Sequence, residues 1–87
     1  MRQFLSFVVG KTLKGEGDKV KQYTIAVDGL DYSDDFDADT NPAIRIMAGR
    51  VRERLDKYYN EEGINDSLII HIEKGQYTPW FEEKTQE

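Results

Sequence analysis

The sequence predicts an α+β domain in which helices come first and a β-hairpin comes last. Apolar residues recur at three- and four-residue steps over residues 41–60, as on a helix with one buried face. Leu68, Ile70 and Ile72 alternate with Ile69, His71 and Glu73, as in a strand, and the turn signal Lys74 and Gly75 follows. A chain of 87 residues makes one small domain.

The first element is predicted to be a helix over residues 2–13. Phe4 and Val8 share one face at helical spacing. Residues 7–9 are also compatible with a short strand, but the glycine-rich stop at residues 15–17 favours a helix.

The second element, residues 19–28, fits a helix or a strand. Val20, Tyr23 and Val27 recur at helical spacing, whereas Tyr23, Ile25 and Val27 alternate as in a strand. Its β-branched residues are common in strands, but periodicity alone does not decide. Both alternatives remain open at this point.

An acidic connection, here called the aspartate loop, occupies residues 28–40. It contains six aspartates and no basic residue. Asp35 and Asp37 begin an alternation similar to that of a calcium-binding EF-hand loop, but Thr40 and Ile46 stand where that loop requires glycine and glutamate. We therefore interpret the segment as a solvated acidic loop whose Asp35 and Asp37 are candidate contacts for a protein partner.

The helix at residues 41–60 carries the feature that points to a function. Asn41 suits its N-cap, and Pro42 suits its first helical position. The segment has a net charge of +3 in a chain whose total is −5, so the remainder carries −8. On a helical wheel, two basic flanks lie on either side of an exposed centre that includes Ile46 and Glu53. One flank holds Arg50, Arg54 and Lys57, and the other holds Arg45 and Arg52.

The basic residues have two interpretations. In the first, the helix enters a DNA major groove, where arginine contacts guanine edges and phosphates. In the second, the arginines pair with the aspartate loop, Glu53 and Asp56, and the face is merely solvated. Ile46 and Glu53 are poor base-reading residues, and an outward Ile46 is also a candidate protein contact.

The sequence predicts neither an enzyme nor a cofactor. It has no cysteine, and His71 is its one histidine. No serine stands in a nucleophile-elbow context, and no cluster of metal ligands is evident. The lack of cysteine fits a cytoplasmic location, and no apolar run approaches the length of a membrane span. No small-molecule substrate is indicated.

A β-hairpin is predicted over residues 66–81, with a return strand at residues 76–81 and a polar tail at residues 82–87. Pro79 restricts the return strand to an edge. Five aromatic residues are expected to close the core between helix and hairpin, although they are also able to stack on bases. They are Tyr58, Tyr59, Tyr77, Trp80 and Phe81. The folded domain is thus residues 1–81.

Three helices followed by a C-terminal β-hairpin wing describe a winged helix-turn-helix. Three stretches carry a further resemblance and cover most of residues 4–81: FLSFVVGKTLKGEGDKVKQYTIAV, DFDADTNPAIRIMAGRVRERLDKYY and IIHIEKGQYTPWF. Through them the chain resembles a bacterial winged-helix-type domain found N-terminal to tetratricopeptide repeats or adenylate-cyclase-like modules in larger regulators. The resemblance implies that residues 19–28 are helical and that the domain binds double-stranded DNA.

The expected DNA contacts follow from that layout. Arg50, Arg54 and Lys57 lie in or beside the major groove. Arg45 and Arg52 hold phosphates or brace the aspartate loop, and Lys74 and Gln76 touch the flanking backbone. The alternative is a protein-interaction or signal-coupling module, contacting another protein or other domains of a larger chain, with Ile46, Asp35 and Asp37 as its contacts.

Overall fold

Helices and one β-hairpin make up residues 2–84, which the computed structural model describes. The elements in chain order are α1 (Arg2–Leu13), a 3₁₀ turn (Gly17–Lys19), α2 (Gln22–Thr24) with a π-helical continuation (Ile25–Gly29), α3 (Ala43–Asn60), β1 (Leu68–His71) and β2 (Trp80–Glu83). The two strands pair antiparallel. The predicted α+β class, with helices before a terminal hairpin, is confirmed.

The second element is helical, which decides between the two alternatives that periodicity left open. At its start the Lys21 N–H donates to Thr24 Oγ1 (3.0 Å). Ile25 and Ala26 are fully buried in the π-helical continuation. Asp31 follows with φ 60°, a left-handed conformation that aspartate adopts more readily than most residues. Burial of the apolar side has therefore overridden the strand preference of the β-branched residues.

One hydrophobic core joins α1, the π-helical continuation, α3 and the residue that follows β1. Its buried members are Phe4, Val8, Val20, Ile25, Ala26, Ile44, Ala48, Val51 and Ile72. The predicted apolar face of α3 is confirmed in its first half. Farther along α3, Leu55 is half-buried and Tyr58 is 40% exposed, so the C-terminal half of this face is not fully buried in the core.

α3 begins at Ala43, one residue later than predicted. The Oδ1 of Asn41 accepts the N–H of Ala43, the first helical residue (3.0 Å), although Asn41 is not the N-cap that was predicted. Pro42, however, occupies the N-cap and not the first helical position.

The return strand of the hairpin lies further along the chain than predicted. β2 begins at Trp80 and runs to Glu83, so Glu82 and Glu83 belong to the sheet and not to a polar tail. The Lys84 N–H extends the pairing by donating to the Ser67 carbonyl (2.7 Å). The rest of the predicted tail, residues 85–87, lies outside the described residues.

Residues 72–79, here called the hairpin loop, do not belong to the ladder, and several of them are bonded to other parts of the chain. Arg52 takes three of their carbonyls, as described below. The Thr78 hydroxyl donates to the Gly17 carbonyl (2.8 Å), and Pro79 has no N–H to offer to a strand. The predicted turn at Lys74 and Gly75 is confirmed, since Gly75 has φ +84°.

The five aromatic residues do not form the single core cluster that was predicted. Tyr77 packs against the core, and Tyr59 and Phe81 are half-buried. Tyr58 and Trp80 are 40% and 44% exposed. Instead of entering the core, Trp80 stacks on His71 with ring centroids 4.2 Å apart.

Gly63 is required where the chain turns back after α3. Its N–H donates to the Tyr58 carbonyl (2.6 Å), and a Cβ at Gly63 would overlap the Tyr58 ring. We expect Gly63→Ala to lower the free energy of unfolding by roughly 1–3 kcal/mol, because the site has no room for a methyl group. Urea denaturation followed by circular dichroism measures this change.

Gly49→Ala is the matched control, because a Cβ at Gly49 in α3 meets no atom within 4 Å. That substitution should raise stability by about 0.5–1 kcal/mol, the usual helical gain of alanine over glycine. In a Tyr58→Ala background the cost of Gly63→Ala should largely disappear. A Gly63→Ala protein as stable as the wild type would contradict the close contact.

Glu16 is held between two lysines in the turn after α1. Its Oε2 lies 3.3 Å from the Nζ atoms of both Lys11 and Lys19. The hydrogen bond from Lys11, then that from Lys19, then their charges lower the pKa of the Glu16 carboxyl below its ordinary value of 4.5. A lowered pKa in the folded state adds stability above the unfolded pKa, and this contribution is lost as pH falls through the folded pKa.

We therefore expect the difference in unfolding free energy between wild type and Glu16→Gln to shrink as pH falls from neutral to below 4.5. Urea denaturation of both proteins across this pH range measures the difference. A difference that stays constant would show that the two lysines do not stabilise the charged carboxylate.

Candidate nucleic-acid interface

Two side chains of α3 attach this helix to the hairpin. Arg52 Nε donates to the Ile72 carbonyl (2.9 Å), and its Nη2 donates to the carbonyls of Glu73 (3.0 Å) and Gln76 (3.1 Å). Tyr59 lies two turns further along and so on nearly the same face of the helix. Its hydroxyl oxygen accepts the Ile70 N–H (3.0 Å).

The pairing pattern shows that Tyr59 binds the outer edge of β1. The Lys84 N–H donates to the Ser67 carbonyl, and the register places Ile70 opposite Phe81. Hydrogen-bonded and non-hydrogen-bonded pairs alternate along an antiparallel ladder. Ile70 therefore directs its N–H and carbonyl away from β2, and α3 covers the edge that β1 would otherwise expose.

Arg52 does not brace the aspartate loop, which was one of the two roles predicted for it, because its guanidinium is directed at the hairpin loop. Lys74 and Gln76, the predicted contacts to flanking backbone, are exposed on that loop. The Gln76 N–H closes the turn on the Glu73 carbonyl (3.0 Å). Arg52 therefore sets the position of the loop relative to α3.

The other cationic residues of α3 are exposed and form no ion pair with a carboxylate within residues 2–84. They are Arg45, Arg50, Arg54 and Lys57. Within residues 2–84 the ion pairs are Lys11–Glu16, Lys19–Glu16 and His71–Glu82. The interpretation in which the arginines pair with the aspartate loop, Glu53 and Asp56 is therefore wrong for the described part of the chain.

Arg50, Arg54 and Lys57, here called the cationic stripe, follow one another at four- and three-residue steps. Such residues are neighbours on one helix face. The stripe extends about 10 Å along the axis at the rise of an α-helix. Arg45 lies on the opposite flank, as predicted. Arg52, the other basic residue of that flank, binds the hairpin loop and is not available beside Arg45 to contact a ligand.

A groove of about 870 Å³ lies beside the cationic stripe, between the start of α1, the second half of α3 and β1. Arg2, Arg54 and Lys57 contribute positive charge to it, and Leu5, Leu55 and Ile70 are among its apolar lining residues. Past the end of α3 its lining becomes acidic, with Glu61, Glu62 and Asp66. The groove therefore combines an apolar lining with charges of both signs.

Asp66 also holds the exposed ring of Tyr58 at the acidic end of this groove. The Tyr58 hydroxyl donates to Asp66 Oδ2 (2.8 Å). This hydrogen bond, with the Asp66 charge, raises the pKa of the Tyr58 hydroxyl. Tyr58 is therefore a neutral donor at physiological pH.

The residues predicted for protein contact lie on the surface. Ile46 is 52% exposed on α3, and Asp35 and Asp37 are exposed in the aspartate loop. The Asp37 Oδ1 accepts the Asp39 N–H (3.0 Å), which organises the loop locally. Among residues 2–84, no three His, Asp or Glu side chains are grouped so that they would hold a metal ion.

In the described part of the chain, no helix combines the length and the hydrophobicity that crossing a bilayer requires. Comparisons of the chain with protein-family models, with curated proteins and with solved structures find no match.

The attachment of α3 to the hairpin was not anticipated from the sequence. The one sequence feature that indicates this attachment is the two-turn spacing of Arg52 and Tyr59. Both side chains are long, end in polar groups and lie on the flank next to the buried stripe of α3. Nothing in the sequence shows which backbone groups they reach, because the carbonyls of residues 72–76 become available only once the ladder has ended.

We expect Arg52→Lys to lower the free energy of unfolding by roughly 1–3 kcal/mol. Lysine keeps the charge, but its single ammonium group is unable to reproduce the planar fork that reaches three carbonyls. Chemical denaturation measures the change, and Arg50→Lys on the exposed stripe is the control, expected within about 0.5 kcal/mol of wild type. Equal losses in both variants would show that Arg52 has no special structural role.

Proposed function

We propose that this domain binds double-stranded DNA through α3, with the hairpin acting as a wing beside it. The observation that carries the proposal is the cationic stripe, whose three side chains are exposed and unpaired with carboxylates within residues 2–84. An isolated positive stripe in an acidic protein keeps its affinity for anions, whereas a stripe neutralised by its own aspartates would have lost it.

The geometry of the cationic stripe suits a nucleic-acid backbone. Arginine forms bidentate hydrogen bonds with phosphate, and its charge is permanent. The stripe is about 10 Å long, which is long enough to contact more than one phosphate of a DNA strand. A helix of α3's size is also narrow enough to enter the major groove.

The hairpin loop supplies a second, separate contact to the flanking backbone. Lys74 and Gln76 are exposed on it, and Arg52 fixes it to α3 through three hydrogen bonds. The order α1, α2, α3, hairpin is that of a winged helix-turn-helix, so we assign this finer class to the fold as part of the proposal. In it, α3 is the recognition helix and Arg45 contacts a phosphate on its opposite flank.

Phosphate contacts should dominate over base reading in such a complex. The exposed centre of α3 presents Ile46 and Glu53, and neither side chain donates a hydrogen bond to a base edge. Phosphate contacts position a protein without reading the sequence. We therefore expect weak discrimination between DNA sequences and a strong dependence on salt.

The test is salt-titrated binding of the chain to a library of duplex fragments. Each phosphate contact contributes about 0.9 to the slope of the logarithm of affinity against the logarithm of salt concentration. The Arg50→Ala, Arg54→Ala double variant should therefore show a slope shallower by roughly 1.8 and a lower affinity for every fragment. Fluorescence anisotropy of labelled duplexes measures both quantities.

The matched control is a Lys14→Ala, Lys21→Ala double variant, which removes the same charge from two exposed sites outside α3. Its slope should stay within about 0.5 of the wild-type slope if α3 makes the contacts. Equal slopes in the two double variants would place DNA elsewhere on the surface. Absence of binding by the intact chain at low salt would refute the proposal.

A protein-interaction module is the second candidate function. It is favoured by the groove beside α3, because an apolar lining with charges of both signs suits a folded or helical partner better than a uniformly charged duplex. The 52% exposure of Ile46 adds an apolar contact on the same helix. In this case Asp35 and Asp37 are available for a basic group of the partner.

A further inference from the structure

The outer edge of β2 is open, whereas that of β1 is covered by α3. By the alternation established above, Phe81 and Glu83 direct their N–H and carbonyl groups away from β1. Within residues 2–84 none of these four groups forms a hydrogen bond. An open edge is a template on which another extended chain forms a strand.

The outer face of the hairpin holds one aromatic ring in a fixed orientation. The register places Trp80 directly opposite His71, and their rings stack at 4.2 Å with an interplanar angle of 16°. The indole N–H donates to Glu73 Oε1 (2.9 Å). Trp80 is nevertheless 44% exposed, so a large, rigid, apolar surface faces solvent beside the open edge.

Carboxylates lie next to this ring. Glu73 binds the indole, and Glu82 Oε1 lies 2.7 Å from His71 Nε2 on the same face. Glu83 follows in β2 and is exposed, but on the opposite face of the strand. An exposed indole attracts a cation over its face, and flanking carboxylates strengthen that preference. This face therefore favours arginine or lysine.

We propose that the β2 edge binds an extended, basic segment of a partner protein as a third strand of the sheet. The backbone of the segment pairs with the N–H and carbonyl groups of Phe81 and Glu83. A cationic side chain of the segment packs on Trp80, and the next one on that face approaches Glu82. Main-chain pairing supplies affinity in this mode, and alternate side chains supply specificity.

Charge excludes a second copy of this chain as the occupant. Two β2 strands pairing with each other would bring Glu82 and Glu83 of one molecule against the same residues of the other. Like charges directly opposite one another across two strands are destabilising. A basic segment replaces this repulsion by attraction. The site is also separate from the cationic stripe, so the proposal does not depend on DNA binding.

The experiment uses the full chain and a synthetic peptide in which arginine and threonine alternate. Trp80 is the only tryptophan, so its fluorescence reports occupancy of the outer face. We expect a saturable fluorescence change and about a tenfold slowing of hydrogen exchange at the Phe81 and Glu83 amides, measured by NMR. Binding that leaves the exchange of both amides unchanged would overturn strand addition.

A second peptide, with proline in place of each threonine, separates strand pairing from simple charge attraction. It keeps every arginine but lacks the N–H groups that a new strand must donate. We expect it to bind about tenfold more weakly. Equal affinity of the two peptides would overturn the proposal.

The carboxylates are tested by the Glu73→Gln, Glu82→Gln double variant, which keeps a side-chain acceptor for Trp80 and for His71 while removing both charges. Affinity for the arginine-threonine peptide should fall roughly five- to tenfold. The matched control is Glu61→Gln, Glu62→Gln, which removes the same charge at the end of α3 and should change affinity less than about twofold. Equal losses in the two variants would contradict a site on the hairpin.

Discussion

The attachment of the hairpin to α3 by Arg52 is the interaction on which the rest of this architecture depends. A two-stranded hairpin is marginal by itself, and this one has only four residues in each strand. Arg52 and Tyr59 supply it with hydrogen bonds to four backbone groups, while Ile72 anchors it in the core. The ladder ends at His71 and Trp80, and beyond it the Glu73 and Gln76 carbonyls bind Arg52.

This attachment divides the molecule into two surfaces of opposite charge. On α3, Arg52 binds the hairpin loop, and the exposed cationic stripe forms no ion pair within residues 2–84. On the hairpin, the covered β1 edge leaves β2 as the open edge, with Glu73 and Glu82 around the exposed ring of Trp80. The net charge of −5 is a sum over the whole chain, in which one surface is suited to anions and another to cations.

The sequence predicted those parts of the fold that depend on periodicity. The bounds of α1, the buried stripe of Ile44, Ala48 and Val51, and the turn at Gly75 were all predicted, because local patterns determine them. Periodicity did not predict the helical state of Ile25 and Ala26, since it depends on burial against α1; the resemblance implied it. The predicted position of the return strand was wrong because long-range bonds hold the hairpin loop, and such bonds leave no periodic signal. They run from Arg52 to three carbonyls of the loop, and from the Thr78 hydroxyl to the Gly17 carbonyl. Pairing of the arginines with the aspartate loop was wrong for the same reason, as composition does not show which charges meet.

The most direct test of this account is an NMR measurement on the Arg52 side chain in the intact chain. The Nε–H of Arg52 should exchange slowly with water and should show a scalar coupling across its hydrogen bond to the Ile72 carbonyl carbon, because this donor is held at 2.9 Å from the carbonyl oxygen. The Nε–H groups of Arg50 and Arg54 should exchange rapidly and show no such coupling. Exchange of the Arg52 Nε–H at the rate of these two arginines, without the coupling, would contradict the attachment of the hairpin to α3.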